Sequence, residues 1–586
     1  MIGLFAVTES GRRAAADLAA RLGPDAVIAD GPLRPALQRM WPELGAAVFF
    51  LATGATVRLI AALLADKRTD PGVVCVDEAH RFAVALAGGH GGGANALAVE
   101  VADLLGATPV VTTASDATAT TALDDLVELL DARVEGDLAA CAVAVLDGEA
   151  VRLENPRGYP LPALPENVSE SAVAANWSIV IDDRVLEHPP HGSYLRLIPR
   201  SLVVGIGSAR GVGSSEVIEL LATAAAEQRL DPKAFRAFAS IDVKSAEGGI
   251  VSTVDDHAFW HDEADLPYLC YPADALATIA VPNPSEVVAR AVGTPSVAEA
   301  AALHAASELS GVPVAHGVEL VLAKRTSASA TVAIARMRPR GRLALIGLGP
   351  GAAAQRTPQA EAELRRAAVV VGLDSYVDVV RHLLRPGTEV LASGLGAEEQ
   401  RAEQAVSLAR KGKAVALIGS GDAGVYAMAS PALQQADQRI EVIGVPGVTA
   451  ALAAAALLGA PLGHDHALIS LSDLHTPWEV IERRVTAAGN GDFVVCFYNP
   501  RSRERDWQLD AALRILAAYR GPDTPVGAVR QASRVGQRVR CARLADFDAG
   551  SVDMLTTVIV GSSQTILVDG RMVTPRGYRW MPGERS

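Results

Sequence analysis

The sequence predicts a multi-domain α/β protein, and three features carry that expectation. Short β-like runs alternate with helical stretches along most of the 586 residues, the order that lays helices on both faces of open, largely parallel sheets. Half the residues are hydrophobic but only 4% are aromatic, so the cores are mostly Ala, Val and Leu, which suits helices packed on parallel strands. Several strands run straight into glycine turns, at the strand ends where open α/β sheets bind ligands. At roughly 150 residues per domain, the length suggests about four domains.

Residues 1–135 alternate IGLFAV with GRRAAADLAARLG, AAVFFLA with ATVRLIAALLAD, and FAVALAG with ANALAVEVADLLG, then reach TPVVTTA. This predicts an open parallel sheet. In residues 136–200, AACAVAVLDG, SIVIDD and YLRLIP read as short extended runs separated by Pro and Gly, a β-rich middle segment. Residues 201–337 return to a βαβ order with SLVVGIGSARG, SSEVIELLATAAAEQ, FASIDVKS, LATIAVP, SVAEAAALHAASE, VELVLAKR and TVAIARM. The basic stretch RPRGR at 338–342 reads as a hinge and the best domain boundary. Residues 342–586 start afresh with LALIGLGPG, KAVALIGSGDAG, RIEVIGVPG, HALISLSD, DFVVCFYNP and TTVIVGSS.

Formal charge is −14, split into about +2 for residues 341–586 and about −16 for residues 1–340. The acidic first part argues against a nucleic-acid partner there. Five cysteines are scattered without a C-x-x-C pair, which supports neither a disulfide frame nor a zinc or iron–sulfur site. No protein-bound metal is expected. The first residues lack the basic and apolar regions of a signal peptide. The apolar run Ala450–Leu458 is too short for a bilayer, which needs about 20 residues. A soluble, reduced, cytoplasmic protein with no membrane partner is expected.

Four turns in residues 342–586 carry candidate chemistry. LIGLGPG (345–351) lets backbone amides approach a ligand, although Pro350 breaks the dinucleotide-binding spacing. GSGDAGVYA (419–427) sets the Asp422 carboxylate between glycines, either facing a ligand or capping a helix. VPGVTA (445–450) opens an Ala-rich helix, with Thr449 as its cap or as a ligand contact. FYNPRS (497–502) is the fourth. In the first part, GGHGGGAN (88–95) precedes a helix and offers an anion site, with His90 as donor, axial contact or general base, or else is a plain surface turn. GIGSARG (205–211) precedes a helix with Ser214 or Ser215 as its cap, and Arg210 is suited to a carboxylate. SIDVKSAEGG (240–249) holds Lys244 and Glu247, a catalytic pair or a surface ion pair.

Taken together in this order, LIGLGPG, GSGDAGVYAMA, VPGVTAALAAAALLGAPLGHDHALISLSDLHTPWEVIE, FYNPRSRER and TTVIVGSSQT resemble the tetrapyrrole methylases, within them the precorrin-3B C(17)-methyltransferases of cobalamin biosynthesis. The resemblance implies two lobes, roughly 342–450 and 451–586, with S-adenosylmethionine in the cleft between them. Pro350 would border the methionine end. Ser420, Gly421, Asp422 and Val425 would form the loop around the cofactor, Thr449 and Ala450 would touch it from the helix start, and Asn499 and Ala532 would lie against adenosine. His475 stands where the pattern has an apolar residue and has no role. The implied reaction is C(17) methylation with ring contraction. The same resemblance implies a homodimer formed through the methylase segment.

FFLATGATVRLIA, the stretch GVVCVDEAHRFAVALAGGHGGGANALAVEVADLLGATPVVTTASD, LVVGIGSARGVG, FASIDVKSAEGG, IAVPNPSEVVARAVGTPSVAEAAAL and VELVLAKRTSASATVAIAR resemble the cobalt-precorrin-5A hydrolases. That family opens a δ-lactone and releases acetaldehyde. Its motifs name no catalytic residue, so His90, Lys244 and Glu247 are chosen by chemistry. The implied partner is a small tetrapyrrole rich in carboxylates, carrying cobalt only as part of the substrate. Arg58, Arg81 or Arg210 would have to offset the acidic surroundings. The competing expectations are a non-catalytic corrinoid-binding module in the first part, a ribosomal-RNA methylase, and a nucleotide-linked oxidoreductase. The weak positive charge of the second part disfavours the RNA enzyme. The Pro-interrupted turn disfavours the oxidoreductase.

Overall fold

The computed structural model describes residues 1–577 apart from 66–68, 90–91, 114–117, 119, 173, 189–191, 257–265 and 503–504. The chain divides into two compact units. The first comprises Met1–Tyr159, Leu164–Pro339 and Arg385–Gly387, and the second Pro160–Ala163, Arg340–Leu384 and Thr388–Ser586. The architecture is mixed α/β throughout, with sheets of six, five and five strands in the first unit and of five, three and five strands in the second among the described residues.

The first unit holds three sheets. Strands β1 (Ile2–Ala6), β2 (Ala26–Ile28), β3 (Ala46–Phe50), β4 (Gly72–Val76), β5 (Phe82–Ala87) and β6 (Thr108–Val110) are ordered β2-β1-β3-β4-β5-β6. Pairing is parallel except between β4 and β5, which run antiparallel. The expected all-parallel sheet is therefore mixed. Only Asp77–Arg81 separates β4 from β5, too short for a crossover. Asp77 Oδ1 closes that turn by accepting from the Arg81 and Phe82 amides at 2.7 and 2.8 Å. One face buries Leu4, Val48, Phe50 and Val74 against the helices Glu9–Leu22 and Ala94–Leu105, and the other buries Phe5 and Phe49, stacked 4.8 Å apart.

Strands β7 (Ala132–Gly136), β8 (Val151–Glu154), β9 (Val168–Ser169), β10 (Trp177–Ile181) and β11 (Ser193–Pro199) follow, ordered β7-β11-β10-β8-β9. The run AACAVAVLDG is not extended. It lies in and just past the helix Leu138–Leu146, which is capped by Asp137 accepting from the Ala140 amide at 2.9 Å.

Strands β12 (Leu202–Ser208), β13 (Phe235–Ile241), β14 (Tyr268–Tyr271), β15 (Val318–Thr326) and β16 (Ala330–Met337) are ordered β14-β13-β12-β16-β15. The expected strand LATIAVP is the end of a short helix, Ala273–Ala277, and the loop after it; the pairing strand is β14 instead. Gly205 lets the helix Ala298–Ser310 press onto the sheet, since a Cβ there would run into the Ala298 carbonyl. Asp183, fully buried, accepts from Arg336 Nε and Nη2 at 2.5 and 2.9 Å and from the Ser201 hydroxyl at 2.8 Å.

In the second unit, strands β17 (Gly341–Gly347), β18 (Val369–Leu373), β19 (Glu389–Ser393), β20 (Ala414–Gly419) and β21 (Ile440–Val445) make a wholly parallel sheet, ordered β19-β18-β20-β17-β21. The division between the units falls within RPRGR, between Pro339 and Arg340, while its last two residues, Gly341 and Arg342, already belong to β17. Arg342 is buried there and pairs with Glu363 at 2.6 Å and Glu441 at 2.8 Å. Next come β22 (Gly459–Ala460), β23 (His466–Ser470), β24 (Val494–Tyr498), β25 (Pro525–Arg530), β26 (Arg538–Arg543), β27 (Thr556–Val560), β28 (Ile566–Val568) and β29 (Arg571–Val573). They form a sheet ordered β23-β24-β27-β25-β26 and a small one ordered β22-β29-β28. Among the described residues no helix is long and apolar enough to cross a membrane.

Candidate functional site

In the second unit three glycine turns stack at the ends of β17, β20 and β21. Leu348 donates its amide to Gly419 at 2.9 Å, and Gly349 and Gly421 exchange backbone hydrogen bonds of 3.0 and 2.8 Å. Only glycine allows this approach. A Cβ on Gly347 would lie 2.7 Å from the Gly421 carbonyl and 2.8 Å from the Gly447 amide, and Gly421 itself has φ +68°. Asp422 ties two of the turns together. Its Oδ1 accepts from the Gly424 amide at 2.8 Å and its Oδ2 from the Gly447 amide at 3.0 Å. It caps no helix, and Val425 donates to its carbonyl at 3.3 Å.

The third turn enters the helix Ala450–Leu458 through Thr449. Thr449 holds the cap position but makes no side-chain cap bond. Its hydroxyl lies 2.5 Å from the hydroxyl of Tyr498 at the end of β24, and Tyr498 accepts from the Ala451 amide at 2.9 Å. Burial pushes the Tyr498 phenol pKa up. Beside it, Tyr426 donates to the Leu468 carbonyl at 2.7 Å, with the two rings 5.2 Å apart. Asn499 follows with φ +49° and donates to the Ser470 hydroxyl at 3.1 Å, while Arg505 donates to the Asn499 carbonyl at 3.1 Å.

The loop after β25 closes this group. Ala532 packs on the cluster that includes Ala451, Cys496 and Tyr498. Arg534 donates from Nε to the Pro350 carbonyl at 2.6 Å and from Nη2 to the Ser420 hydroxyl at 2.8 Å. Its chain occupies the space that a Cβ on Gly351 would fill. The structure thus brings Pro350 and Ser420 together through Arg534. It sets Gly421 against Thr449 and Ala450, each about 3.5 Å from where its Cβ would stand. Asn499 and Ala532 flank Tyr498. His475 is exposed in the loop before the helix Trp478–Asn490. Sequence reasoning missed Tyr498 and Arg534. The aromatic before Asn-Pro in FYNPRS was a signal for the first; the second had none.

In the first unit, Lys244 ends a 3-10 turn after β13 and Glu247 precedes the helix Gly248–Val254. They pair at 2.9 Å with side chains 15% and 12% exposed, so the pair is not a loose surface contact. Glu247 Oε1 also accepts from the Gly211 amide at 2.7 Å, which joins this pair to the GIGSARG turn. The Lys244 hydrogen bond, then the Gly211 amide, hold the Glu247 carboxyl below the usual carboxylate range. The Ser208 hydroxyl, at the end of β12, is buried without a hydrogen-bond partner among the described residues. Gly213 rather than Ser214 or Ser215 precedes the helix Ser214–Glu227, and no side chain caps it. His90 lies outside the described residues. Gly88 and Gly89 accept from the Ala94 and Asn95 amides at 3.0 Å each, which closes that loop on itself. Arg58, Arg81 and Arg210 are exposed on three separate elements, and no hydrogen bond or ion pair among the described residues joins them.

The sequence pattern of the tetrapyrrole (corrin/porphyrin) methylases matches residues 342–548. Those of the cobalamin synthesis G N-terminal and C-terminal segments match residues 35–116 and 202–335. Over 235 residues the chain is 47% identical to the Salmonella typhimurium protein named "Probable cobalt-factor III C(17)-methyltransferase", covering 40% of this chain and 97% of that one. It is 43% identical to the "Cobalt-factor III methyltransferase" of Priestia megaterium, but spans only 44% of that protein's length. A crystal structure of the methyltransferase CobJ aligns at 38% identity with a TM-score of 0.38, covering 40% of this chain and 98% of that one. The chain belongs to the tetrapyrrole methylase family, as a multifunctional cobalamin-biosynthesis enzyme in which the methyltransferase segment is joined to cobalamin synthesis G segments.

Proposed function

We propose that the second unit methylates C(17) of a precorrin-3B or cobalt-factor III type ring, with ring contraction, and that the first unit opens the δ-lactone of cobalt-precorrin-5A with release of acetaldehyde. The observation that carries the first half is the Gly349–Gly421 bridge. It lines up the Pro350, Ser420–Asp422 and Thr449–Ala450 turns, with Tyr498 and Arg534 at their edge. The backbone groups, hydroxyls and guanidinium gathered here suit S-adenosylmethionine, which combines a nucleoside, an ammonium and a carboxylate. When bound, it supplies an electrophilic methyl group.

The protein's share of such a reaction is orientation and exclusion of water. The Pro350, Ser420, Gly421, Asp422 and Val425 loops would hold the donor's amino-acid end. Thr449 and Ala450 would touch it from the helix start, and Asn499 and Ala532 would flank the adenosine. No proton relay is needed for the donor to react. The substrate is a small tetrapyrrole, with any cobalt carried by the substrate, and the working form is a homodimer through the methylase segment.

For the lactone, Glu247 is a weak base because Lys244 and Gly211 stabilise its charge. Lys244 would stabilise a developing oxyanion. Glu247 orients it, and His90 is the candidate base.

The full chain, incubated with methyl-labelled donor and either ring substrate, should add one labelled methyl group at C(17). With the lactone substrate it should release acetaldehyde. Substrate binding without acetaldehyde would make the first unit a corrinoid-binding module instead.

A further inference from the structure

Arg534 is a half-buried cation with no acidic partner among the described residues; its two hydrogen bonds go to the neutral Pro350 carbonyl and Ser420 hydroxyl. Three other arginines of this lobe are matched by carboxylates, Arg530 by Asp553 at 2.7 Å, Arg520 by Asp492 at 3.0 Å and Arg505 by Asp473 at 4.0 Å, whereas half-buried Arg501, like Arg534, donates to a neutral carbonyl, that of Ala549 at 3.4 Å. Taking a guanidinium partly out of water without a counter-charge is unfavourable unless a ligand completes the pairing.

The loop is built to hold it there. Gln531 and Ser533 both sit in the left-handed region, at φ +49° and +61°. For residues other than glycine this conformation persists only where the surroundings enforce it. Gln531 donates its amide to the Leu555 carbonyl at 2.8 Å and accepts from Arg530 Nη1 at 2.7 Å; Ser533 donates its amide to Gln537 Oε1 at 2.8 Å. Of the five N–H donors of a guanidinium, two are engaged and the Nη1 amino group has no partner among the described residues.

We propose that Arg534 is the carboxylate-recognising residue of the methyl-transfer site. Its free N–H groups take a ligand carboxylate in the planar, two-pronged manner that an arginine fork favours. The inference rests on the methyl-transfer reading above and adds to it the group that recognises negative charge. The carboxylate belongs either to the amino-acid end of the donor or to an acetate or propionate arm of the ring.

Calorimetry on the full chain separates these. S-adenosylhomocysteine carries the amino-acid carboxylate, 5′-methylthioadenosine lacks it, and uroporphyrin serves as a ring polycarboxylate. If the donor's carboxylate is bound, Arg534→Gln weakens S-adenosylhomocysteine about tenfold or more, leaves 5′-methylthioadenosine unchanged, and Arg534→Lys recovers part of the loss. If a ring arm is bound, only uroporphyrin weakens. Equal losses for both nucleosides would make Arg534 a brace for Pro350 and Ser420 and overturn the proposal, as would no loss for any probe. Failure of the unaltered chain to bind either nucleoside would instead overturn the methyl-transfer reading on which it rests.

Discussion

The hydroxyls of Thr449 and Tyr498 stand 2.5 Å apart, and Tyr498 also accepts from the Ala451 amide, so the helix Ala450–Leu458 is capped by a residue from the neighbouring sheet. One phenol thereby fixes a helix start in the candidate donor cradle to the end of β24. Tyr498→Phe removes both bonds while keeping the ring. It should cost about 1 kcal/mol in stability and weaken S-adenosylhomocysteine binding, read by chemical denaturation and calorimetry. Unchanged binding would detach Tyr498 from the site.

Asp422 satisfies one amide with each carboxylate oxygen. Asn offers one acceptor and one donor, so Asp422→Asn leaves either the Gly424 or the Gly447 amide facing an NH₂ group. A loss of about 1–3 kcal/mol is expected, together with weaker donor binding. A variant as stable as the parent would show that the two turns do not depend on this tie.

In the first unit, Asp183 is fully buried against Arg336. Asp183→Asn leaves the buried Arg336 guanidinium with only Glu319, 3.4 Å from its Nη1, as a counter-charge and should destabilise the protein by about 2–4 kcal/mol. Thermal unfolding monitored by calorimetry would show the drop in that unit's transition, and an unshifted transition would contradict it.

The Glu247 carboxyl is held below its ordinary value of 4.5. A depressed carboxylate adds stability above its unfolded pKa and loses it as pH falls through the folded pKa. The melting-temperature advantage of the parent over Glu247→Gln should therefore be full at neutral pH and shrink below about pH 4.5. A pH-independent difference would mean the Lys244 pair does not form in solution.

The glycine turns were legible because close backbone approach at Gly347 and Gly447, and a φ of +68° at Gly421, leave glycine as the residue that fits. Thr449 was legible as a helix start but not as the partner of Tyr498, since no local pattern records a contact between residues 49 positions apart. Arg534 reaches Pro350 across 184 residues from a loop in which Gly536, at φ +89°, marks a turn, but the positive φ of Gln531 and Ser533, which flank the contact, has no glycine to signal it. The helix Leu138–Leu146 was misread because Val143 and Leu146, 56% and 36% exposed, hide the helical spacing of the buried Leu138, Cys141 and Val145. The reversal of β5 turned on a five-residue turn, and LATIAVP was apolar enough to pass for a strand although it does not pair.

The most direct test is titration of the full chain with S-adenosylhomocysteine, run in parallel on Gly447→Ala, whose added Cβ would run into the Gly421 carbonyl. The stacked turns predict one molecule bound per chain and loss of binding in a variant that stays folded. No binding to the parent chain, or equal binding to both proteins, would contradict a donor site built from these strand ends.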